Sequence, residues 1–194
     1  AIENFRTGRK LNTYFIESLH ETLLRNTRRR GQIGRFRKET VFLATKESDK
    51  IEQATYVPPD ALKVRDYMDN WVDYVLNGQD NPLIKAGLLH YQFEAVHPFS
   101  DGNGRIGRLL IPLVLYQHSI LSFPVIYMSG YFNQHREEYI SALHEVDLTG
   151  KYENWLKFFF TALAEQANET QNLIDQITKL YDQTRERFSD IKSS

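Results

Sequence analysis

The sequence predicts a mainly helical domain with one small β-hairpin, built as a helical bundle around a central helix–loop–helix. Three observations predict it. Apolar residues recur at three- and four-residue spacing through most of the chain. Two apolar runs, residues 83–96 and 109–116, flank a single loop. Only one region, residues 39–57, concentrates β-branched and aromatic residues in two short stretches separated by a turn-like Lys46-Glu47-Ser48-Asp49-Lys50.

Taken in order, residues 10–25 read as a helix with Leu11, Phe15, Leu19 and Leu23 on its core face, and His20 beside that stripe as a packed or surface histidine. Residues 25–38 hold seven basic side chains and no acidic one (Arg25, Arg28, Arg29, Arg30, Arg35, Arg37, Lys38). A nucleic-acid patch and a solvated loop both fit that run; the near absence of interleaved aromatics favours the loop. The hairpin spans about 39–57 and ends at Pro58-Pro59-Asp60. A helix follows with Val64, Tyr67, Met68, Trp71, Val72 and Val75 on one broad face. Asn81 caps, and Pro82 opens, a helix apolar on nearly all sides that runs to Val96. His90 within it reads as a core histidine. After the loop, the chain continues as a second buried helix to Tyr116, where Pro112 removes one helical amide and predicts a local kink. Residues 131–144 and 152–167 read as further core helices, and 168–188 as an amphipathic one.

The loop carries the chemistry. Pro98 disfavours helical geometry at His97, so the helix ends there with an imidazole able to exchange a proton near neutral pH. Gly102 and Gly104 flank Asn103 and let backbone N–H groups converge at the start of the next helix, where unpaired amides and the helix dipole favour an anion. Arg105 and Arg108, three apart, share one helix face. Asp101 adds a hard carboxylate of the kind that binds Mg²⁺ beside phosphates. Each element alone has a purely structural reading, as a helix stop, a turn or a solvated face. Their coincidence in one stretch points to phosphoryl or nucleotidyl transfer.

His97 to Arg108 also matches, at every defined position, the signature His-Pro-Phe-x-Asp/Glu-Gly-Asn-Gly-Arg-x-x-Arg of Fic-domain proteins. The chain resembles that family over roughly residues 5–165, including Gly31 to Arg37, which resembles the Gly-x-Phe-Arg lead-in found before the flap. The resemblance implies the all-α Fic fold and a protein adenylyltransferase. Such an enzyme transfers AMP from ATP, with Mg²⁺, to a Ser, Thr or Tyr hydroxyl of a target protein and releases pyrophosphate. On the same resemblance His97 is the general base and Asp101 the Mg²⁺ ligand. Gly102, Asn103, Gly104 and Arg105 cradle the phosphates, Arg108 positions the γ-phosphate, and Phe99 anchors the loop. The Doc-like kinase branch has lysine where this chain has Gly104, which favours AMP transfer. The hairpin becomes a flap, with Thr55, Tyr56 and Val57 pairing with an extended strand of the target. Nucleoside contacts fall to an Arg136 and Tyr139 pair and to Asp147, a position where relatives often have asparagine. The inhibitory motif of many relatives has a literal match at Thr149 to Asn154, but at the start of a core helix. The switch is therefore expected upstream of Ala1 or on another chain, leaving this chain free to modify itself or other proteins. Removal of AMP and transfer of another phosphate-linked group are alternatives from the same loop. A nucleotide-sensing or DNA-linked regulatory module is the non-enzymatic one.

Composition sets the outer limits. The chain has 194 residues, 41% hydrophobic and 25% charged, with a formal net charge of −1, and this is ordinary globular material with no field drawing it to nucleic acid or membrane. It has no cysteine, which excludes disulfides and thiolate metal sites and fits a reducing compartment such as the cytoplasm. No apolar run is long enough to span a bilayer. The domain reading is a Fic core over 1–165 and a C-terminal amphipathic helix over 166–194. That helix docks on the domain, pairs with a second chain as a homodimer, or leads to a further domain, such as the winged helix many relatives carry. The chain opens with Ala1, which points to a piece of a longer protein.

Overall fold

Local sequence signals fix most helix ends. The structure, a computed structural model, describes residues 10–27, 32–43, 52 and 54–192, with side chains to residue 188. Among the described residues there are seven α-helices: α1 (Thr13–Leu24), α2 (Val64–Asn77), α3 (Pro82–Val96), α4 (Asn103–Gln117), α5 (Ser129–Gln134), α6 (Arg136–Thr149) and α7 (Glu153–Lys192). Asn12 accepts from the Phe15 amide at the start of α1, and Asn81 from Leu83 at the start of α3, where Pro82 occupies the first turn. Asp60 caps a short 3-10 turn, Ala61–Lys63, that leads into α2. The helical class predicted from the sequence is the observed one.

The chain divides into two compact units, one ending at Pro124 and the other beginning at Val125. In the first, α3 packs against both α4 and α2. Phe93, Met68, Ile106 and Ile16 are fully buried there, each contributing about 1.5–3 kcal/mol of apolar burial. The indole of Trp71 donates to the Leu89 carbonyl at 2.8 Å and pins α2 to α3. In the second unit, α5 and α6 pack on the first part of α7 through Phe132, Tyr139, Trp155 and Phe159.

Four details depart from the sequence reading. The buried face of α1 is Thr13, Ile16, Glu17, Leu19, His20 and Leu24, rotated from the expected stripe; Phe15 and Leu23 are half-buried. A four-residue repeat drifts off a 3.6-residue helix, and the true face follows the helix. The hairpin is reduced, among the described residues, to one antiparallel bridge, Leu43 to Tyr56; residues 44–51 and 53 lie outside the described residues. The single helix expected over 131–144 is two, broken at His135, whose φ of −108° and ψ of 40° leave helical geometry. The two helices expected on either side of residue 167 are one, α7, which continues without a break to Lys192. Helix α4 continues through Pro112 to Gln117.

Candidate active site

The site begins where α3 stops. His97 takes the left-handed region, φ 49° and ψ 61°, and its amide closes the helix on the Phe93 carbonyl at 3.0 Å. That conformation costs a side chain other than glycine about 1 kcal/mol, so its neighbours must hold it. Arg37, only 3% exposed, does so. Its guanidinium donates to the carbonyls of His97 (2.8 Å), Val96 (3.2 Å), Pro59 (2.6 Å) and Glu39 (3.1 Å), and its amide to that of Pro98 (2.8 Å).

Beyond Pro98 the loop is braced from two sides. Phe99 is fully buried and stacks on the His20 ring, centroids 3.9 Å apart. The His20 Nδ1 accepts from the Gly34 amide at 2.9 Å, so its Nε2 carries the proton and donates to the Asp101 carbonyl at 3.0 Å. Asn103 closes the turn on itself. Its side chain accepts from the Phe99 amide at 2.8 Å and donates to the Phe99 carbonyl at 2.7 Å. Gly102 sits at φ +80°, where a side chain would be strained.

This bracing leaves one face open. No side-chain hydrogen bond caps α4, and the amides of its first turn have no carbonyl a turn earlier in the helix to bond. Arg108 folds back over this end: a Cβ on Gly104 would lie 3.0 Å from its Nη1. Any side chain at position 104 would have to displace that guanidinium. Arg105 Nη2 stands 3.5 Å from Asp101 Oδ2, both half-exposed. Amides at a helix start and two guanidiniums make an anion site, with one carboxylate at its edge.

The His97 ring has a defined proton. Nδ1 lies 3.3 Å from the Glu94 carbonyl, which only accepts, so Nδ1 carries the hydrogen and Nε2 keeps its lone pair. Burial, with a smaller push from the Arg37 charge, lowers the imidazole pKa to about 4. It is neutral at pH 7 and can accept a proton.

Under the loop lie two further ionisable groups. His90 Nε2 is 4.0 Å from Glu94 Oε1, and that oxygen has no hydrogen-bond partner among the described residues. Burial holds His90 down to about 3 and raises Glu94 to about 7, with Arg108 opposing the latter shift. Gly107 makes room for this carboxyl, since a Cβ there would meet Oε1 at 2.4 Å. The signs follow from linkage. Glu94 binds its proton more tightly folded than unfolded, so its contribution to stability is present below pH 4.5 and is lost as pH rises through about 7. Replacing it with glutamine should therefore stabilise the protein relative to wild type more at pH 8 than at pH 4.5, by on the order of 3 kcal/mol. Urea unfolding at the two pH values checks this; an equal difference at both would mean that Glu94 is already ionised in the fold.

The other predicted site residues are Thr55, Tyr56 and Val57 in the first unit and Tyr139 and Asp147 in the second. Thr55 and Tyr56 form the bridge with Leu43, Tyr56 Oη donates to the Ala95 carbonyl at 2.8 Å, and Val57 is 50% exposed. Tyr139 and Asp147 belong to the second unit. Tyr139 is packed on Phe132, ring centroids 4.7 Å apart, and Asp147 faces His144 at 3.9 Å. A cavity of about 580 Å³ in that unit is lined by Glu137, Glu138 and Glu145 with Lys157, a lining that repels a polyphosphate. The sequence reading missed His20 and Arg37. The solvated loop expected for the basic run does not hold for Arg37, which is buried, while Arg25 and Arg35 are exposed and Arg28 to Arg30 lie outside the described residues.

Fold and loop together define an all-helical protein whose central helix–loop–helix presents a braced anion-binding helix end beside a proton-accepting histidine. The chain belongs to the Fic/DOC family, whose model matches residues 10–115, more than half of its length. It is 33% identical over 95 residues to a probable protein adenylyltransferase of Aquifex aeolicus, covering 48% of this chain and 27% of that protein. It is 29% identical over 119 residues to the protein adenylyltransferase Fic of Nematostella vectensis, covering 60% and 24%. The chain thus spans about a quarter of the length of these relatives. Among solved structures, a Fic family protein from Desulfovibrio desulfuricans G20 superposes with a TM-score of 0.71 at 27% identity, covering 83% of this chain and 47% of that one.

Proposed function

We propose that this chain is the catalytic core of a protein adenylyltransferase. The observation that carries the reading is the juxtaposition, within one braced loop, of a neutral His97 with an available Nε2 lone pair and an uncapped helix start flanked by Arg105 and Arg108. The names of the relatives support the transfer of AMP in particular.

In this reading a target hydroxyl oxygen attacks the α-phosphorus of ATP. Its proton passes to His97 Nε2, the bond from the α-phosphorus to the bridging oxygen breaks, and pyrophosphate leaves. The amides of Gly102, Asn103, Gly104 and Arg105 hold phosphate oxygens. The Asn103 side chain is spent on the loop, so that residue contributes its backbone. Arg105 and Arg108 bind the leaving pyrophosphate. Asp101 suits Mg²⁺, because that ion takes one or two carboxylates and completes its shell with phosphates and water. Bound there, Mg²⁺ would neutralise phosphate charge. Thr55, Tyr56 and Val57 receive the target's backbone as an added strand, and the nucleoside is assigned to Tyr139 and Asp147 on family resemblance. A chain without cysteine suits a reducing, aqueous compartment such as the cytoplasm, and among the described residues no helix is long and apolar enough to cross a membrane.

The test uses ATP labelled at the α- or the γ-phosphate, with Mg²⁺ and a protein acceptor, the chain itself included. Protein-bound label should come from the α position alone. Label retained from γ alone would make the chain a kinase and end this reading.

A further inference from the structure

The last part of α7 carries an exposed apolar stripe. Gln166 is 4% exposed, but every residue from 171 to 188 is exposed. Along that stretch Leu173, Ile174, Ile177, Leu180, Tyr181 and Phe188 lie on one face, each between 45% and 65% exposed. Single exposed apolar residues are ordinary; a continuous stripe over two heptads marks a contact surface. The spacing is that of a coiled-coil seam. Ile174, Tyr181 and Phe188 fall at one heptad position, Thr170, Ile177 and Thr184 at the other, and Leu173 and Leu180 widen the seam on one side.

We infer that this segment pairs antiparallel with the same segment of a second copy of the chain, about a two-fold axis near Lys179. Charge sets the direction. Residues 165–176 carry Glu165, Glu169 and Asp175 and no base, a net of −3; residues 177–188 carry Lys179, Arg185 and Arg187 against Asp182 and Glu186, a net of +1. Antiparallel pairing lays the basic half on the acidic half, with Arg185 toward the partner's Asp175 and Arg187 toward the partner's Glu169. Parallel pairing would stack −3 on −3, and like charges at close range repel.

The seam positions set the register. With Ile177 opposite the partner's Tyr181 and Ile174 opposite the partner's Thr184, Thr170 comes level with the partner's Phe188, so every seam position from 170 to 188 meets another seam position. A lipid surface fits less well. The polar face of 167–188 holds four acids (Glu169, Asp175, Asp182, Glu186) and three bases (Lys179, Arg185, Arg187), with no basic excess for anionic headgroups. The pairing does not depend on the proposed activity.

Because the chain has no cysteine, single introduced thiols report the geometry cleanly. Sedimentation equilibrium should give twice the chain's mass, and Ile177→Asp should halve it while circular dichroism stays unchanged, since Ile177 is 58% exposed. Under mild oxidation Leu180→Cys, beside the axis, should form a disulfide-linked dimer, and Ile174→Cys should not. A wild-type chain that stays monomeric over a micromolar dilution series would overturn the proposal. So would cross-linking of Ile174→Cys in preference to Leu180→Cys, which would mean parallel pairing, or a dimer that survives Ile177→Asp.

Discussion

Replacing His97 with alanine should lower AMP transfer by about three orders of magnitude while leaving the affinity for ATP within a few-fold of wild type. A positioned general base contributes about 10²–10⁴-fold. The phosphate contacts assigned above come from α4 and its leading turn, on the far side of Pro98, so removal of the imidazole leaves them in place. One complication has a control. Position 97 is left-handed, and alanine tolerates that region less well than asparagine does. His97→Asn keeps the backbone at lower cost and lacks the base, so it should be as inactive as His97→Ala and closer to wild type in stability. Isothermal titration with ATP and single-turnover transfer separate the two effects. Loss of nucleotide binding in both variants would move His97 from proton transfer to binding.

Replacing Arg37 with alanine should destabilise the fold by about 3 kcal/mol or more. Each buried carbonyl left without its donor costs about 1–3 kcal/mol, and four carbonyls share this guanidinium. Lysine should recover little, because a compact ammonium cannot reach acceptors spread around a planar fork. The same change has a second readout at the imidazole. The Arg37 charge helps hold His97 below its ordinary range, so its removal should raise the His97 pKa, visible by NMR titration below pH 6.5. The direction matters for acid stability too. His97 is harder to protonate folded than unfolded, so its contribution is full above pH 6.5 and is lost as pH falls toward about 4. Urea unfolding measures the main effect, and a loss under about 1 kcal/mol would show that solvent reaches those carbonyls.

What the sequence made legible was what is decided within a turn or two. Asn81 and Pro82 placed the start of α3, and His97-Pro98 its end, because caps and proline act on adjacent amides. The glycines of the loop announced a backbone turn, and Gly102 has the positive φ that requires one. What stayed hidden was decided at long range. Arg37 looked like one more member of a basic run, and nothing local marks it as the residue whose acceptors lie 22 and 60 positions away. His20 looked incidental because its partner, the Asp101 carbonyl, is 81 positions distant. The rotated face of α1 has a related cause. Counting Leu and Phe alone ignored Glu17 and His20, polar residues that the interior accepts because they bond to the backbone of residues 34, 36 and 101. The unbroken course of α7 past residue 167 has a different cause: no glycine or proline stands between residues 152 and 188 to stop the helix, although its apolar pattern changes.

The support that His20 and Arg37 give the loop bears on transplantation. Both act on main-chain carbonyls, and His20 also stacks on the Phe99 ring, so the backbone of residues 97–101 is held from outside the segment. Moving the segment from His97 to Arg108 onto another helical pair would carry the reactive groups and leave both props behind. A faithful graft therefore needs one histidine from a preceding helix and one arginine from the strip beside it, and a search for such sites by the contiguous signature alone will also return chains that spell the letters without being able to hold the shape.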